Sequence, residues 1–137
     1  KNIYQAKSGI KISFNNEGNK NYIINGIENR MEQIIANLLE NAISFSKDNQ
    51  NIEVKVKKDL NNQVILNIID EGPGFKERDT TKIFKRFYSN RPDKFGQHSG
   101  LGLNIVKNLV ELHRALITAS NRTDKNGANL EIIFPKP

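Results

Sequence analysis

The stretch Val64-Ile65-Leu66-Asn67-Ile68-Ile69 narrows the possible folds of this chain more than any other. It is a nearly continuous apolar run of strand length, set between the turn residues 59–62 and Asp70-Glu71-Gly72-Pro73-Gly74. Such a run marks a strand more buried than one that alternates apolar and polar residues. Just before it, Ile52-Glu53-Val54-Lys55-Val56-Lys57 alternates apolar and polar, so Glu53, Lys55 and Lys57 all point one way from a half-solvated strand. The two runs predict a hairpin whose second strand is the more buried.

The flanking patterns supply the layer that covers this sheet. Ile27, Met31, Ile34, Ile35, Leu38, Ala42 and Phe45 recur at steps of three and four, one face of an amphipathic helix running to about Lys47. A second such helix follows Gly102, with Ile105, Val106, Leu109, Val110 and His113 on one side. Ahead of the first helix, Ile10-Lys11-Ile12-Ser13-Phe14 and Tyr22-Ile23-Ile24, separated by Asn- and Gly-bearing turn residues, read as a pair of short strands. At the far end, residues 116–120 and 128–134 form a closing hairpin. Between residues 71 and 99 lies a polar stretch too long for an ordinary connection. The order predicts an α/β (α+β) two-layer sandwich: a mixed, largely antiparallel sheet of about five strands, packed on one face by about three helices.

Composition sets outer bounds. The chain has 137 residues, enough for one domain and one core. It carries no cysteine, which excludes a disulfide framework and a thiolate metal site and suits a cytoplasmic setting. No apolar run approaches the ~20 residues needed to cross a bilayer, so this piece is expected outside the membrane. The net charge of +6 comes from scattered lysines such as Lys55, Lys57, Lys58, Lys76 and Lys85, without an Arg-rich run or an aromatic-interleaved stripe. That pattern argues for a mildly basic, solvated surface and against nucleic acid.

Three short motifs carry potential chemistry. Asn37, Asn41 and Ser44 fall on one stripe of the first helix, with Glu40 beside them. The stripe is either a solvated polar face or a place where the Asn41 amide oxygen helps hold a hydrated Mg²⁺, which takes hard oxygen ligands. Asp70 stands at the end of the most buried strand, where a carboxylate can accept from an exocyclic amine while Gly72 and Gly74 let backbone approach a flat ligand. The same residues also suit an ordinary turn. Ser99-Gly100-Leu101-Gly102-Leu103 opens the second helix, either as a hinge or as backbone amides facing an anion. It is neither a Rossmann fingerprint nor a P-loop.

In their fixed order these motifs resemble the catalytic domains of sensor histidine kinases, in the superfamily shared with type II topoisomerase, mismatch-repair and heat-shock-chaperone ATPases. Asn37-Leu38-Leu39-Glu40-Asn41-Ala42 is similar to the family's N box, residues 70–74 to its G1 box, Phe84-Lys85-Arg86-Phe87-Tyr88 to its F box and residues 99–103 to its G2 box. The resemblance covers nearly the whole chain and implies the Bergerat ATP-binding fold. It implies that Asp70 bonds the adenine amino group, with Gly72, Gly74 and Phe45 around the base. It implies further that Asn41 binds Mg²⁺, that Asn37 lies by the phosphates and metal, and that Ser99, Gly100, Leu101, Gly102 and Leu103 wrap the triphosphate. Lys85 and Arg86 would meet the γ-phosphate, and residues of about 71–99 would form the ATP lid. Departures from the pattern are Ser44 in place of a frequent basic residue, with Lys47 as a substitute, His98 in place of a glycine, and Arg114-Ala115 in place of a glycine pair.

Relatives that hydrolyse ATP place a glutamate one turn before the metal-binding asparagine; here that position is Asn37, which cannot act as general base, and Glu40 is rotated about 100° away. The resemblance therefore implies a kinase that passes the γ-phosphoryl group of Mg·ATP to a histidine on a separate dimerisation domain, with a response regulator downstream. Residues 1–9 are expected to be a linker remnant of that domain and residues 10–137 the catalytic unit. The whole protein is expected to be a membrane-anchored homodimer and this piece a cytoplasmic monomer. His98 and His113 lack the acidic neighbour of an acceptor histidine, and His113, on an apolar helix face, reads as structural. A serine kinase of the same superfamily and a nucleotide-binding module without transfer are the alternatives.

Overall fold

The computed structural model describes residues 9–17, 22–76, 79–85 and 102–137. Their strands are β1 (Lys11–Asn16), β2 (Asn51–Lys58), β3 (Val64–Ile69), β4 (Leu116–Asn121) and β5 (Ala128–Phe134). They form one sheet in the order β1-β2-β3-β5-β4, parallel between β1 and β2 and antiparallel elsewhere. The apolar run forms the middle strand, as its composition requires: Val64, Ile65, Leu66, Asn67 and Ile68 are all buried. The mixed two-layer α/β architecture expected from the sequence is the one observed. Among the described residues no helix is long and apolar enough to cross a membrane.

Helices α1 (Glu28–Phe45) and α2 (Gly102–Leu112) pack on one face. Ile34, Leu38 and Ala42 of α1 and Val106 and Val110 of α2 are at most 1% exposed and meet Ile52, Ile68 and Ile132 of the sheet in one core. Burying one of these isoleucine, leucine or valine side chains is worth roughly 1.5–3 kcal/mol, so these few positions hold the two layers together. Ser46 closes α1, its N–H donating to the Ala42 and Ile43 carbonyls and its hydroxyl to Ala42 at 2.8 Å. At the end of α2, Arg114 N–H donates to the Glu111 carbonyl and Ala115 N–H to that of Val110, both at 3.0 Å, while Arg114 takes φ +59°. This is a Schellman motif, with Arg114 in the left-handed position that glycine usually fills.

Three expectations change. Tyr22-Ile23-Ile24 is not a strand: the segment runs without a ladder, Tyr22 and Ile24 packed against the core and Ile23 68% exposed. An extended segment lying on a core alternates just as a strand does. The partner of β1 is instead β2, reached by the crossover through α1. The third helix is a single 3₁₀ turn at Thr80–Phe84, inside the stretch expected as lid. Finally, the apolar stripe of α1 is narrower than its pattern, since Ile27 and Ile35 are 52% and 36% exposed.

Candidate functional site

The end of β3 delivers Asp70 into the fold at 4% exposure. Its Oδ1 accepts two backbone N–H bonds, from Gly72 at 2.9 Å and from Ala128, the first residue of β5, at 3.0 Å. Its own N–H donates to the Ala128 carbonyl. Among the described residues no donor meets Oδ2. Removal from water disfavours the charged form and pushes the Asp70 carboxyl above its ordinary value, against the opposing effect of the Gly72 and Ala128 amides and of Arg122. A buried carboxylate with one saturated oxygen and one open oxygen is an acceptor of fixed direction, suited to a donor such as an exocyclic amine.

The glycines after it are held in close packing. A Cβ on Gly72 would stand 2.8 Å from the Phe45 carbonyl oxygen, so the loop leaves β3 pressed against the last turn of α1. Gly74 has φ +82°, which an L side chain resists. Glu71 points the other way: its carboxylate accepts from Asn51 N–H at 2.7 Å and from Lys125 Nζ at 3.0 Å, and those bonds, the Asn51 amide first, lower its pKa.

This contact brings the asparagine stripe to the same end of the sheet. Asn41 is 7% exposed, while Asn37, Ser44 and Phe45 are half-buried. The stripe is therefore not the solvated face that was one of its two readings. Ser44 turns its hydroxyl back to the Asn41 carbonyl at 2.8 Å, a bond within the helix. Lys47 is exposed beyond the end of α1. No cluster of three or more His, Cys, Asp or Glu side chains suited to a metal occurs among the described residues. The Asn41 amide oxygen is a hard oxygen donor of the kind that Mg²⁺ takes.

The described part of the expected lid, residues 71–76 and 79–85, packs as a wall of the fold. Phe75, Ile83 and Phe84 are buried, the Thr80 hydroxyl donates to the Ala119 carbonyl at 2.7 Å, and Asn104 Nδ2 of α2 donates to the Phe84 carbonyl at 3.0 Å. Lys107 Nζ stands 5.9 Å from the centre of the Phe84 ring. Lys85 is exposed directly after this turn. Gly102 opens α2, with nothing among the described residues within 4 Å of where a Cβ would stand, and Leu103 packs against the core. Arg86, Phe87, Tyr88, His98, Ser99, Gly100 and Leu101 lie outside the described residues.

The support of Asp70 by the β4–β5 turn was not read from the sequence, and the part played by His113, at the opposite end of the two helices, was read only in outline. The turn between β4 and β5, taken as a plain hairpin connection, holds Asp70 through Ala128 and through Arg122, whose Nη1 donates to the Asp70 carbonyl at 3.1 Å. Its only local signal was an Asn at the end of a strand and a Gly at the start of the next. His113 is structural, as expected, and more specifically than its helical face implied. Nδ1–H donates to the Leu109 carbonyl at 2.8 Å and Nε2 accepts from Ile27 N–H at 3.1 Å, so the ring joins the end of α2 to the uncapped start of α1.

The chain belongs to the family of histidine kinase-, DNA gyrase B- and HSP90-like ATPases, whose model matches residues 26–137. Within that family it is similar to sensor kinases. It is 40% identical over 128 residues to the sensor protein ChvG of Agrobacterium fabrum, covering 91% of this chain and 20% of that protein. It is 41% identical over 111 residues to the sensor protein KdpD of Clostridium acetobutylicum, covering 77% and 12%. The chain thus spans a fifth or less of these two relatives. Among solved structures it matches the catalytic domain of the histidine kinase ThkA at TM-score 0.79 and 27% identity, over 93% of this chain and 80% of that one. It shares the fold of the mycobacterial sensor histidine kinase MprB at TM-score 0.83 and 24% identity, over 97% and 86%.

Proposed function

We propose that this chain binds Mg·ATP and transfers its γ-phosphoryl group to a histidine on a dimerisation domain of the same polypeptide, as the catalytic unit of a two-component sensor kinase. The observation that carries the reading is Asp70: buried, with two N–H bonds on Oδ1 and no donor among the described residues on Oδ2, it suits the adenine amino group. Gly72, Gly74 and Phe45 would border the base. Asn41 and Asn37 would meet the phosphates and their magnesium, which supplies charge neutralisation between the phosphate oxygens when bound. Gly102 and Leu103, with Ser99, Gly100 and Leu101, would offer backbone amides to the phosphates, and Lys85 and Arg86 would steady the charge that develops during transfer.

Asn37 also separates transfer from hydrolysis. An amide cannot take the proton of an attacking water, so the site holds ATP for a nucleophile brought from elsewhere. His113 is not that nucleophile, because both of its ring nitrogens are engaged within the fold. The resemblance to sensor kinases extends the proposal to a homodimeric, membrane-anchored parent with a response regulator as next acceptor, and to residues 1–9 as linker and 10–137 as catalytic domain.

The test has two arms. Titration with Mg·ATP should saturate the wild type, while Asp70→Asn, which presents an N–H donor to the amine, stays folded and loses affinity. Radiolabelled ATP mixed with a separately made histidine-bearing dimerisation domain should then leave acid-labile phosphate on that domain. Acid-stable phosphoserine on a regulatory partner would point to a serine kinase, and bound nucleotide without transfer to a binding module.

A further inference from the structure

Beyond Asp70, whose N–H reaches the Ala128 carbonyl, residues 71–75 pair with no strand among the described residues, yet both ends of the segment 70–75 are gripped by one short piece of chain. At the far end, Asn121, the last residue of β4, clamps Phe75: its Oδ1 accepts from Phe75 N–H at 2.6 Å and its Nδ2 donates to the Phe75 carbonyl at 3.1 Å. A side-chain amide bonded this way replaces both bonds that a neighbouring strand would make. The space under Gly74 is filled by the same group, since a Cβ there would stand 2.6 Å from Asn121 Oδ1. At the near end, Asn121 pairs with Ala128, whose N–H holds Asp70 Oδ1. The next residue, Arg122, donates to the Asp70 carbonyl, with its guanidinium fixed on Asp124 by bonds of 3.0 and 2.8 Å.

Asp70 and the glycine wall therefore share one support. We infer that Asn121 is a positioning residue for purine recognition: it sets where Gly74 and Phe75 stand relative to Asp70 Oδ2, and with that how closely the edge of a base meets the carboxylate. The inference rests on the nucleotide reading above. It adds a residue that touches no ligand and acts through the Phe75 backbone. Both halves of the amide are needed. A carboxylate at position 121 keeps the acceptor for Phe75 N–H but loses the donor and sets negative charge against the Phe75 carbonyl.

The experiment compares wild type, Asn121→Ala and the nearly isosteric Asn121→Asp for affinity toward Mg·ATP and Mg·GTP, with urea unfolding run in parallel. Losing this clamp should weaken Mg·ATP about tenfold, the change that follows from hydrogen bonds worth ~1–1.5 kcal/mol, and leave Mg·GTP nearly unchanged. The ATP-to-GTP preference then falls by the same factor in both variants. An unchanged preference in a folded variant overturns the positioning role, as does an equal loss for both nucleotides, which is general loosening. Wild-type protein that fails to bind Mg·ATP overturns the nucleotide reading and this role with it.

Discussion

Arg114→Gly should make the protein more stable, and the size of the gain follows from the backbone. Among the described residues, Asn49, Asn62 and Arg114 are the non-glycine residues with positive φ. Asparagine tolerates that region; arginine has no local bond that favours it. An L residue there costs about 1–2 kcal/mol relative to the right-handed form. Glycine removes that cost and adds unfolded-chain freedom worth about 0.5–1 kcal/mol, so the net gain is about 0.5–1 kcal/mol. The Schellman bonds from residues 114 and 115 use backbone atoms only and survive the change. The Arg114 side chain is exposed, so little packing is lost.

Thermal unfolding followed by circular dichroism reads this directly. For a chain of 137 residues the gain corresponds to a midpoint rise of about 2–4 °C. Arg114→Ala is the control, because alanine removes the charge and keeps the left-handed strain. A rise in both variants would trace the effect to charge. No rise in Arg114→Gly would refute the strain argument.

Other outcomes follow from the same structure. Asp70 and Glu71 should bend the pH–stability curve in opposite directions. The folded-state pKa of Glu71 lies below the ordinary 4.5, so its contribution is present above that value and lost as pH falls through the lowered one; Glu71→Gln should flatten this acid limb in urea titrations at pH 3–5. The folded-state pKa of Asp70 is raised, so its ionisation opposes folding as pH rises, and Asp70→Asn should be at least as stable as wild type at pH 7. His113→Ala removes the acceptor of Ile27 N–H and should cost about 1–2 kcal/mol, with faster hydrogen exchange at that amide as the direct readout. Gly127→Ala should unfold at markedly lower urea than wild type, because φ +147° is strained for alanine and its Cβ would stand 2.1 Å from the Asp70 carbonyl oxygen.

What the sequence revealed and what it hid follow a physical line. Both α-helices and β2 were legible from periods of 3.6 and of two, and β3 from an apolar run of strand length set between turn residues. The single 3₁₀ turn at Thr80–Phe84 is too short to show a period, and only its buried Ile83 and Phe84 betray it. The parallel pairing of β1 with β2 depends on a crossover that no local pattern encodes. Asp70, Gly72 and Gly74 stood out because a carboxylate and two glycines directly follow a buried strand. Asn121 did not, since its meaning lies in Phe75, 46 positions away in the chain.

The bonds around Asp70 bear on where the cost of recognition falls. Gly72 is pressed on the end of α1, Ala128 and Arg122 hold Asp70 at both carboxylate and carbonyl, and Glu71 ties the same loop to Asn51 and Lys125. All of these partners belong to the chain itself. Burial takes Asp70 out of water within the fold itself and raises its pKa, so on the nucleotide reading proposed above a purine amine would meet at Oδ2 an acceptor already desolvated and aimed. Asp70→Asn should separate the two effects: it relieves the fold of a buried charge while turning an acceptor into a donor at the ligand. Stability and affinity are then expected to change in opposite directions at this residue, and parallel losses in both would show that Asp70 is a structural anchor only.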